Sequence, residues 1–396
     1  MQRALARRGL STLGGEATGK HVPYGAVGSG YYSDHTKGCY DVVKRAGVVA
    51  MRALDGVLEQ RRARGAVAAR EPFTLADYGT ADAGTSMPLI KRLVATVRAA
   101  EPEAPIVVLY EDQSSNDWNS VFSRVHNRIP HAEPSFIPAD NVFVLVSGAS
   151  FYEQCAPAAT VDFGFSATAM HWLRAAPASI PDALLATLTT DAGVLAAFEA
   201  QAAHDWVAIL KQRSAELKPG GALAIANFAV DEQQRFLGKS EHVKESMFDT
   251  HARLWRELAD EGRITAHEFE ATNFPVFYRS LAQCRAPFDD LHGKASELQE
   301  LEWVTGETDL VRCPYHVRWL AERGDAMAHA RRFVPTTRTW SNSTFRLGLD
   351  AARSEDERDA IVNELFERYT QAVAHAPDDH AMDYVHSYIH LSKPAV

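Results

Sequence analysis

The sequence predicts a Rossmann-like α/β fold, a mostly parallel sheet whose strands alternate with helices, followed by a C-terminal helical cap. Three observations predict it. Short apolar runs at 73–78, 105–110, 141–146, 159–165 and 222–226 alternate with helix-periodic stretches through residue 230. The first run, Phe73-Thr74-Leu75-Ala76-Asp77-Tyr78, breaks into the turn Gly79-Thr80-Ala81-Asp82-Ala83-Gly84. Leu89, Ile90, Leu93 and Val97 then recur at helix spacing. The second run ends in Glu111-Asp112, one βαβ unit beyond Asp77. A strand end, a close turn, a helix start and a following acid are how a sheet of this class begins a nucleoside site.

The turn chemistry narrows the ligand. Its glycines do not spell G-x-G-x-x-G, and no P-loop lysine follows. Asp77 precedes the first glycine, where it would repel an incoming pyrophosphate and suit a cation. S-adenosylmethionine (SAM) carries both an ammonium and a sulfonium. Asp112 stands where such domains place the acid that accepts ribose hydroxyls.

Composition sets limits. The chain has 396 residues and is 46% hydrophobic, enough for one large unit with a sizeable core. A formal charge of −10 argues against a nucleic-acid surface and against adsorption to an anionic membrane. No apolar run reaches the roughly 20 residues of a membrane span. Cys39, Cys155, Cys284 and Cys313 lie far apart, with neither zinc spacing nor the density of a disulfide scaffold. A reducing, cytoplasmic setting follows. Met1 to Gly14 carry Arg3, Arg7, Arg8, Ser11 and Thr12 without an acid, the composition of an organellar transit peptide or of a disordered tail. The histidines include no H-E-x-x-H, and no metal site is predicted.

In order, residues 1–27 read as a flexible N-terminal extension, 28–234 as the Rossmann-like core, and 235–396 as a mostly helical cap completing the same unit. Gly30 to Asp41 lead into a helix through Val42, Val43, Ala46 and Met51. Tyr31 and Tyr32 either pack on the domain or cover the site, and spacing alone favours packing. Asn116 or Asp117 starts a helix after the second strand. Ser150-Phe151-Tyr152 follows the third strand, with Tyr152 read as core. Ser166 to Leu173 follow the fourth. Asp34 and Asp82 read as turn or cap residues. Past 235 the pattern is helical, interrupted by irregular stretches at 272–278 and near 304–315.

Together these stretches resemble, in order and spacing, the SABATH family of SAM-dependent carboxyl methyltransferases, from about Gly28 to Ser392. Tyr32 to Thr36 resembles S-Y-x-x-N-S. Ala76-Asp77-Tyr78-Gly79…Gly84 resembles A-D-L-G-C-S-S-G with one extra residue. Glu111-Asp112…Asn116-Asp117-Trp118-Asn119 resembles N-D-L-P-G-N-D-F-N, and Ser150-Phe151-Tyr152 matches S-F-Y. Ser166…His171-Trp172-Leu173 resembles H-S-S-Y-S-L-H-W-L, and Leu365 to Tyr369 resembles V-F-x-R-Y.

The resemblance implies that Tyr32, Thr36, Asp77, Gly79, Ser86, Asp112, Gln113, Ser150 and Phe151 surround SAM, with Phe151 against the adenine. It implies that Trp172 holds the substrate carboxylate through its indole N–H, the one polar group of a tryptophan, with His171 either beside it or merely packed. Cys39, Thr168 and Phe248 would line the acceptor. There the chain departs from the family pattern, which has Gln, Tyr and Trp at those positions. Lys37, His35 or His171 is left to replace the glutamine. Thr168 and Phe248 suggest a roomier pocket. The Gly30-Tyr31-Tyr32-Ser33…Thr36…Gly38 segment is similar to bacterial members associated with fatty acids. A homodimer is implied by the resemblance alone.

The chemistry is compatible. A carboxylate with an ordinary pKa of about 4 is ionised at neutral pH and needs no general base. A site need only desolvate it and aim one oxygen at the methyl group. The sequence therefore predicts SAM-dependent O-methylation of a small lipophilic carboxylic acid, with a fatty acid as the expected substrate. The alternatives are N-methylation of a heterocycle, a non-catalytic SAM- or lipid-binding protein, and, last, an NAD-dependent dehydrogenase.

Overall fold

The sheet has the strand order β3-β2-β1-β4-β5-β7-β6, with β1 to β5 parallel and β7 antiparallel to both β5 and β6. The computed structural model describes residues 24–65, 70–131, 133–289, 295 and 298–395. The strands are β1 (Phe73–Tyr78), β2 (Ile106–Glu111), β3 (Val142–Ser147), β4 (Val161–Ala167), β5 (Leu217–Phe228), β6 (Glu302–Val311) and β7 (Tyr384–Ser392). Before β1 lie α1 (Tyr31–His35) and α2 (Lys37–Arg64); α3 (Met87–Ala100) follows β1, and α4 (Trp118–Val125) follows β2. α5 (Ala192–Glu216) precedes β5. Between β5 and β6 come α6 (Met247–Asp260), α7 (Ala266–Ala271) and α8 (Leu281–Arg285). Between β6 and β7 come α9 (Pro314–Glu322), α10 (Ala326–Leu347) and α11 (Glu355–His375).

The alternation of side chains along each strand builds two layers. β5 turns Ala222, Ala224 and Ala226 toward the layer of α2 and α3, and Leu223 and Ile225 toward Trp206, Ile209 and Leu210 of α5. α2 is helical over 28 residues because Val42, Val43, Ala46, Val49, Ala50, Ala53, Leu54 and Val57 form one buried stripe at i, i+3, i+4 spacing. Side-chain caps start the later helices: Asp191 accepts from Gly193 and Val194 before α5, Ser246 from Asp249 before α6, and Thr265 forms a capping box with Glu268.

One part of the sequence reading needs correction. β6 and β7 come from the stretch read as a helical cap, so residues 235–396 supply helices and also two strands of the central sheet. β6 escaped notice because it is an edge strand, Glu-Trp-Val-Thr-Gly-Glu-Thr-Asp-Leu-Val, whose acids face solvent and whose apolar run is interrupted by Gly306. β7 is almost wholly buried, but His386 and Ser387 interrupt its apolar run. The N-terminal extension, with the transit-peptide reading, lies outside the described residues except for Tyr24 to Val27. There the Tyr24 N–H donates to Thr339 O at 3.0 Å, and its ring meets Tyr31 edge-on at 5.4 Å.

The start of α2 packs on β7 only because residue 38 is glycine. A Cβ there would lie 2.1 Å from Cε2 and 2.2 Å from Cζ of Tyr384. Gly38→Ala is expected to destabilise the fold by about 1–3 kcal/mol through overpacking. On the same helix, Gly56→Ala meets nothing within 4 Å and should be neutral or stabilising by up to about 1 kcal/mol. Denaturant unfolding of both variants checks this; equal stabilities would show that the contact yields.

Candidate active site

The strand order reverses between β1 and β4, and there the C-terminal ends of β1, β2 and β4 open onto a cavity of about 430 Å³. Register sets this up. Tyr78 sits level with Glu111 on one side and Ser166 on the other, so the residues that follow each strand converge.

The first wall is the turn after β1. Gly79 has φ of 75°, and a Cβ there would fall 2.3 Å from the Cβ of Ala169, so only glycine fits. Its N–H donates to Glu111 O at 2.9 Å and to Glu111 Oε2 at 3.1 Å. Burial, with Asp112 nearby, pushes the Glu111 carboxyl well above the usual range. Gly79, Thr80, Ala81 and Thr85 reach the cavity. Asp77 and Ser86, both expected at the cofactor, stand one layer behind: Asp77 Oδ2 accepts from Ser86 Oγ at 2.6 Å and Thr80 Oγ1 at 3.0 Å. Burial pushes the Asp77 carboxyl up to about 6 despite these bonds.

Asp112, Gln113, Ser114 and Ser115 form the second wall. Asp112 accepts from the N–H groups of Ala81 and Gln113, both at 2.8 Å, and burial pushes it up to about 6. Gly148, Ser150, Phe151 and Glu153 form the third wall. Tyr152, read as core, is buried but also lines the cavity, and its hydroxyl donates to Trp172 O.

α1 forms the roof. Tyr32 and Thr36 face the cavity, while Tyr31 packs outward, stacked on His35 at 3.8 Å. Packing therefore holds for one tyrosine and covering for the other. Asp82 and Asp34 are structural, as read: Asp82 accepts from Ser33, and Asp34 pairs with Arg124 at 2.9 Å.

The other half of the cavity is aromatic. Thr168, Cys39, His171 and Trp172 line it, as expected. Thr168 has φ of 57°, a strained conformation for a β-branched residue. The Tyr32 hydroxyl lies beside Thr168 and the Cys39 thiol, and burial pushes that thiol up to about 12. The His171 ring meets Phe228 edge-on at 4.8 Å. Lys37 is exposed, over the Tyr40 ring at 5.6 Å, so of the three candidates to replace the glutamine only His171 is at the site.

Phe248 is not. It is fully buried behind the wall, 5.8 Å from Trp340 and 6.4 Å from Tyr278 by ring centres. Trp340 and Tyr278 stand in front of it, with Phe228, Val276 and Tyr384. The roomier pocket inferred from Phe248 therefore loses its basis. Sequence reasoning missed Tyr384 because β7 was not read as a strand, and Tyr278 because 272–278 read as irregular. Trp340 lay on a periodic helix with no signal of its own.

The comparisons agree with this geometry. A family model described as SAM dependent carboxyl methyltransferase matches residues 62–394. Indole-3-acetate O-methyltransferase 1 of Arabidopsis thaliana is 27% identical over 330 residues, 78% of this chain and 79% of that protein. A methyltransferase of Fusarium sp, LUC1, is 27% identical over 204 residues, half of each chain. The solved structure of a loganic acid methyltransferase with SAH superposes with a TM-score of 0.70 at 18% identity, covering 95% of this chain and 99% of that one, a likeness of fold. These relatives do not support the likeness to bacterial fatty-acid members. A family match over most of the chain, on a fold with a nucleoside-type crevice joined to an aromatic chamber, leaves one assignment: the chain belongs to the SAM-dependent carboxyl methyltransferases, enzymes that use SAM as their methyl donor.

Proposed function

We propose that this enzyme methylates the carboxylate of a compact, lipophilic ring acid, giving its methyl ester and S-adenosylhomocysteine. The observation that carries the reading is the aromatic chamber, closed by Trp340, Tyr278, Phe228 and Tyr384, with Trp172 and His171 in its wall. The polar half suits the nucleoside and amino-acid parts of SAM. Asp112 takes the ribose hydroxyls, Gln113 and Phe151 flank the adenine, and Ser150, Tyr32 and Thr36 complete the walls. Asp77 acts from behind Gly79 and Thr80, its charge opposite the methionine ammonium. Trp172 Nε1 and His171 take the carboxylate that the family's glutamine would otherwise hold.

SAM supplies an electrophilic methyl group: as a carboxylate oxygen forms the C–O bond, the C–S bond breaks and its electron pair stays on sulfur. The protein's part is to bind, orient and dehydrate the acid. The rings exclude water, which strengthens the N–H···O bonds that aim the oxygen. No side chain needs to move a proton. A straight-chain acid would have to pass Tyr278 and Trp340, so we place ring acids first. Four unpaired cysteines support a reducing compartment, and a disulfide found by mass mapping of native protein would exclude it. A homodimer is supported by the outer strand β3, where Phe143 and Leu145 are 53% and 54% exposed. A single 43.6 kDa species on sedimentation would exclude it.

Trp172→Phe removes one N–H and keeps a ring. The kcat/KM for the acid should fall about 10–100-fold, the worth of a hydrogen bond to a charged group, with SAM affinity within twofold. An equal loss of SAM affinity would remove Trp172 from the acceptor side. In a mass-spectrometric screen of benzoic, salicylic, indole-3-acetic and straight-chain acids, methyl esters should come from ring acids. Esters from the straight chains alone would overturn the ring preference. No ester with SAM bound would favour N-methylation or a non-catalytic role.

The two buried carboxyls give a pH prediction. Their folded pKa of about 6 lies above the ordinary value near 4. Protonation therefore favours the folded state, and each group is a stability burden that is present above pH 6 and fades as pH falls toward 4. SAM binding, which needs the charge, should weaken over that same interval. Asp77→Asn keeps an acceptor for Ser86 and Thr80. At pH 7 it should melt no lower than the parent, yet bind SAM at least about tenfold more weakly by calorimetry, roughly 1.4 kcal/mol. A lower melting temperature with unchanged affinity would make Asp77 purely structural.

A further inference from the structure

We infer that the buried Arg213–Glu216 pair at the end of α5 is a positioning device for the cofactor wall at Ser150 to Glu153. Neither residue lines the cavity, and both side chains are fully buried. Glu216 receives Arg213 Nε at 2.9 Å and Nη2 at 2.7 Å. The guanidinium keeps donors to spare: Nη1 donates to Phe151 O and Nη2 to Glu153 O, each at 2.8 Å. The carboxylate keeps acceptors to spare, which take the N–H groups of Cys155 and Ala156 and the hydroxyl of Tyr78 at 2.6 Å. The Tyr78 ring lies 4.4 Å from the guanidinium carbon.

The order of these contacts is what points to positioning. Along the loop come two carbonyls and then two N–H groups; along α5 come a donor and then an acceptor. The loop between β3 and β4 contains no described helix or strand, so its backbone groups lack ladder partners, and buried groups of this kind need some partner. The ion pair holds the loop at four backbone atoms from the far face of the sheet. Fixing Phe151 O fixes where its ring stands. Tyr152, in the same loop, carries the effect to Trp172 O. A buried ion pair is a poor device for stability alone, since well-packed apolar residues often replace one without loss. Geometry is what such a replacement forfeits.

The proposal rests on Ser150 and Phe151 being the cofactor wall, and the test separates the two ideas. Phe151→Ala should weaken SAM binding by about tenfold; no change would remove the wall assignment and the proposal with it. With Phe151→Ala weakened, the double variant Arg213→Met/Glu216→Leu should stay folded, with SAM affinity and KM for SAM about tenfold worse and kcat at saturating SAM within about threefold. Arg213→Lys, which keeps the charge but cannot fork to both carbonyls, should show the same split if the double variant fails to fold. Unchanged SAM affinity in whichever variant folds, whatever its melting temperature, would overturn the proposal and leave the pair structural.

Discussion

The site depends on one constraint, the register of β1 between β2 and β4. Because Tyr78 pairs level with Glu111 and Ser166, three chain segments leave the sheet at the same height. Each then has to turn at once, in a space shared with the others. The consequences are visible in the backbone. Gly79, Ala81, Ala83 and Thr168 all have positive φ within these segments, and three of the four are not glycine. Such conformations persist only where the surroundings over-determine them. Here the surroundings are the hydrogen bonds of Glu111 to Gly79 N, Asp112 to Ala81 N and Thr168 N to Ala226 O. Glu111 and Asp112 therefore shape the crevice through the backbone N–H groups they hold.

What the sheet does not provide, buried arginines do. α1 is five residues long, too short to persist alone. It is held by Arg124, which reaches Gly30 O, Asp34 and Asp82, and by Asp117 and Ser120, which accept from Gly28 and Gly30. Arg213 does the same for the loop after β3. The roof and one wall are thus secured from behind by fully buried guanidinium groups on α4 and α5. Arginine suits the task, because one rigid fork serves a carboxylate and several carbonyls together. The walls of a cavity open to a ligand cannot gain rigidity from packing on the open side, so they gain it from the closed one.

The legible part of the sequence was the part in which local pattern and global role coincide. β1, β2 and β4 are near-continuous apolar runs because both faces are covered, β3 is an apolar run with one face exposed, and Asp77 and Asp112 sit at strand ends that periodicity marks. β6 and β7 were not legible for the opposite reason: one is half solvated, and the other buries histidine and serine that composition scores as polar. The wall residues divide the same way. Thr168, His171 and Trp172 follow a strand directly and were found. Trp340, Tyr278 and Tyr384 converge from a helix, an irregular segment and an unread strand, and no sequence spacing encodes that meeting. Phe248 was placed on the wall by analogy with a position, whereas its neighbours Trp340 and Tyr278 were free to stand in front of it.

The residue at 39 bears on how an acid can be accepted here at all. A carboxylate entering an aromatic chamber loses its hydration and tolerates no second negative charge close by. A cysteine would introduce that charge if it ionised. Burial, however, pushes the Cys39 thiol up to about 12, so at neutral pH it stays a neutral group beside the Tyr32 hydroxyl. The same thiol exposed to water would begin to ionise near pH 8.5. Replacing glutamine by cysteine therefore removes a donor without adding repulsion, and the proposed function leaves the recognition to Trp172 and His171, which line the same chamber. The dryness that would strengthen hydrogen bonds to a bound carboxylate is the same dryness that keeps Cys39 uncharged. Any change that wets this corner of the chamber would weaken the donors and wake the thiol together.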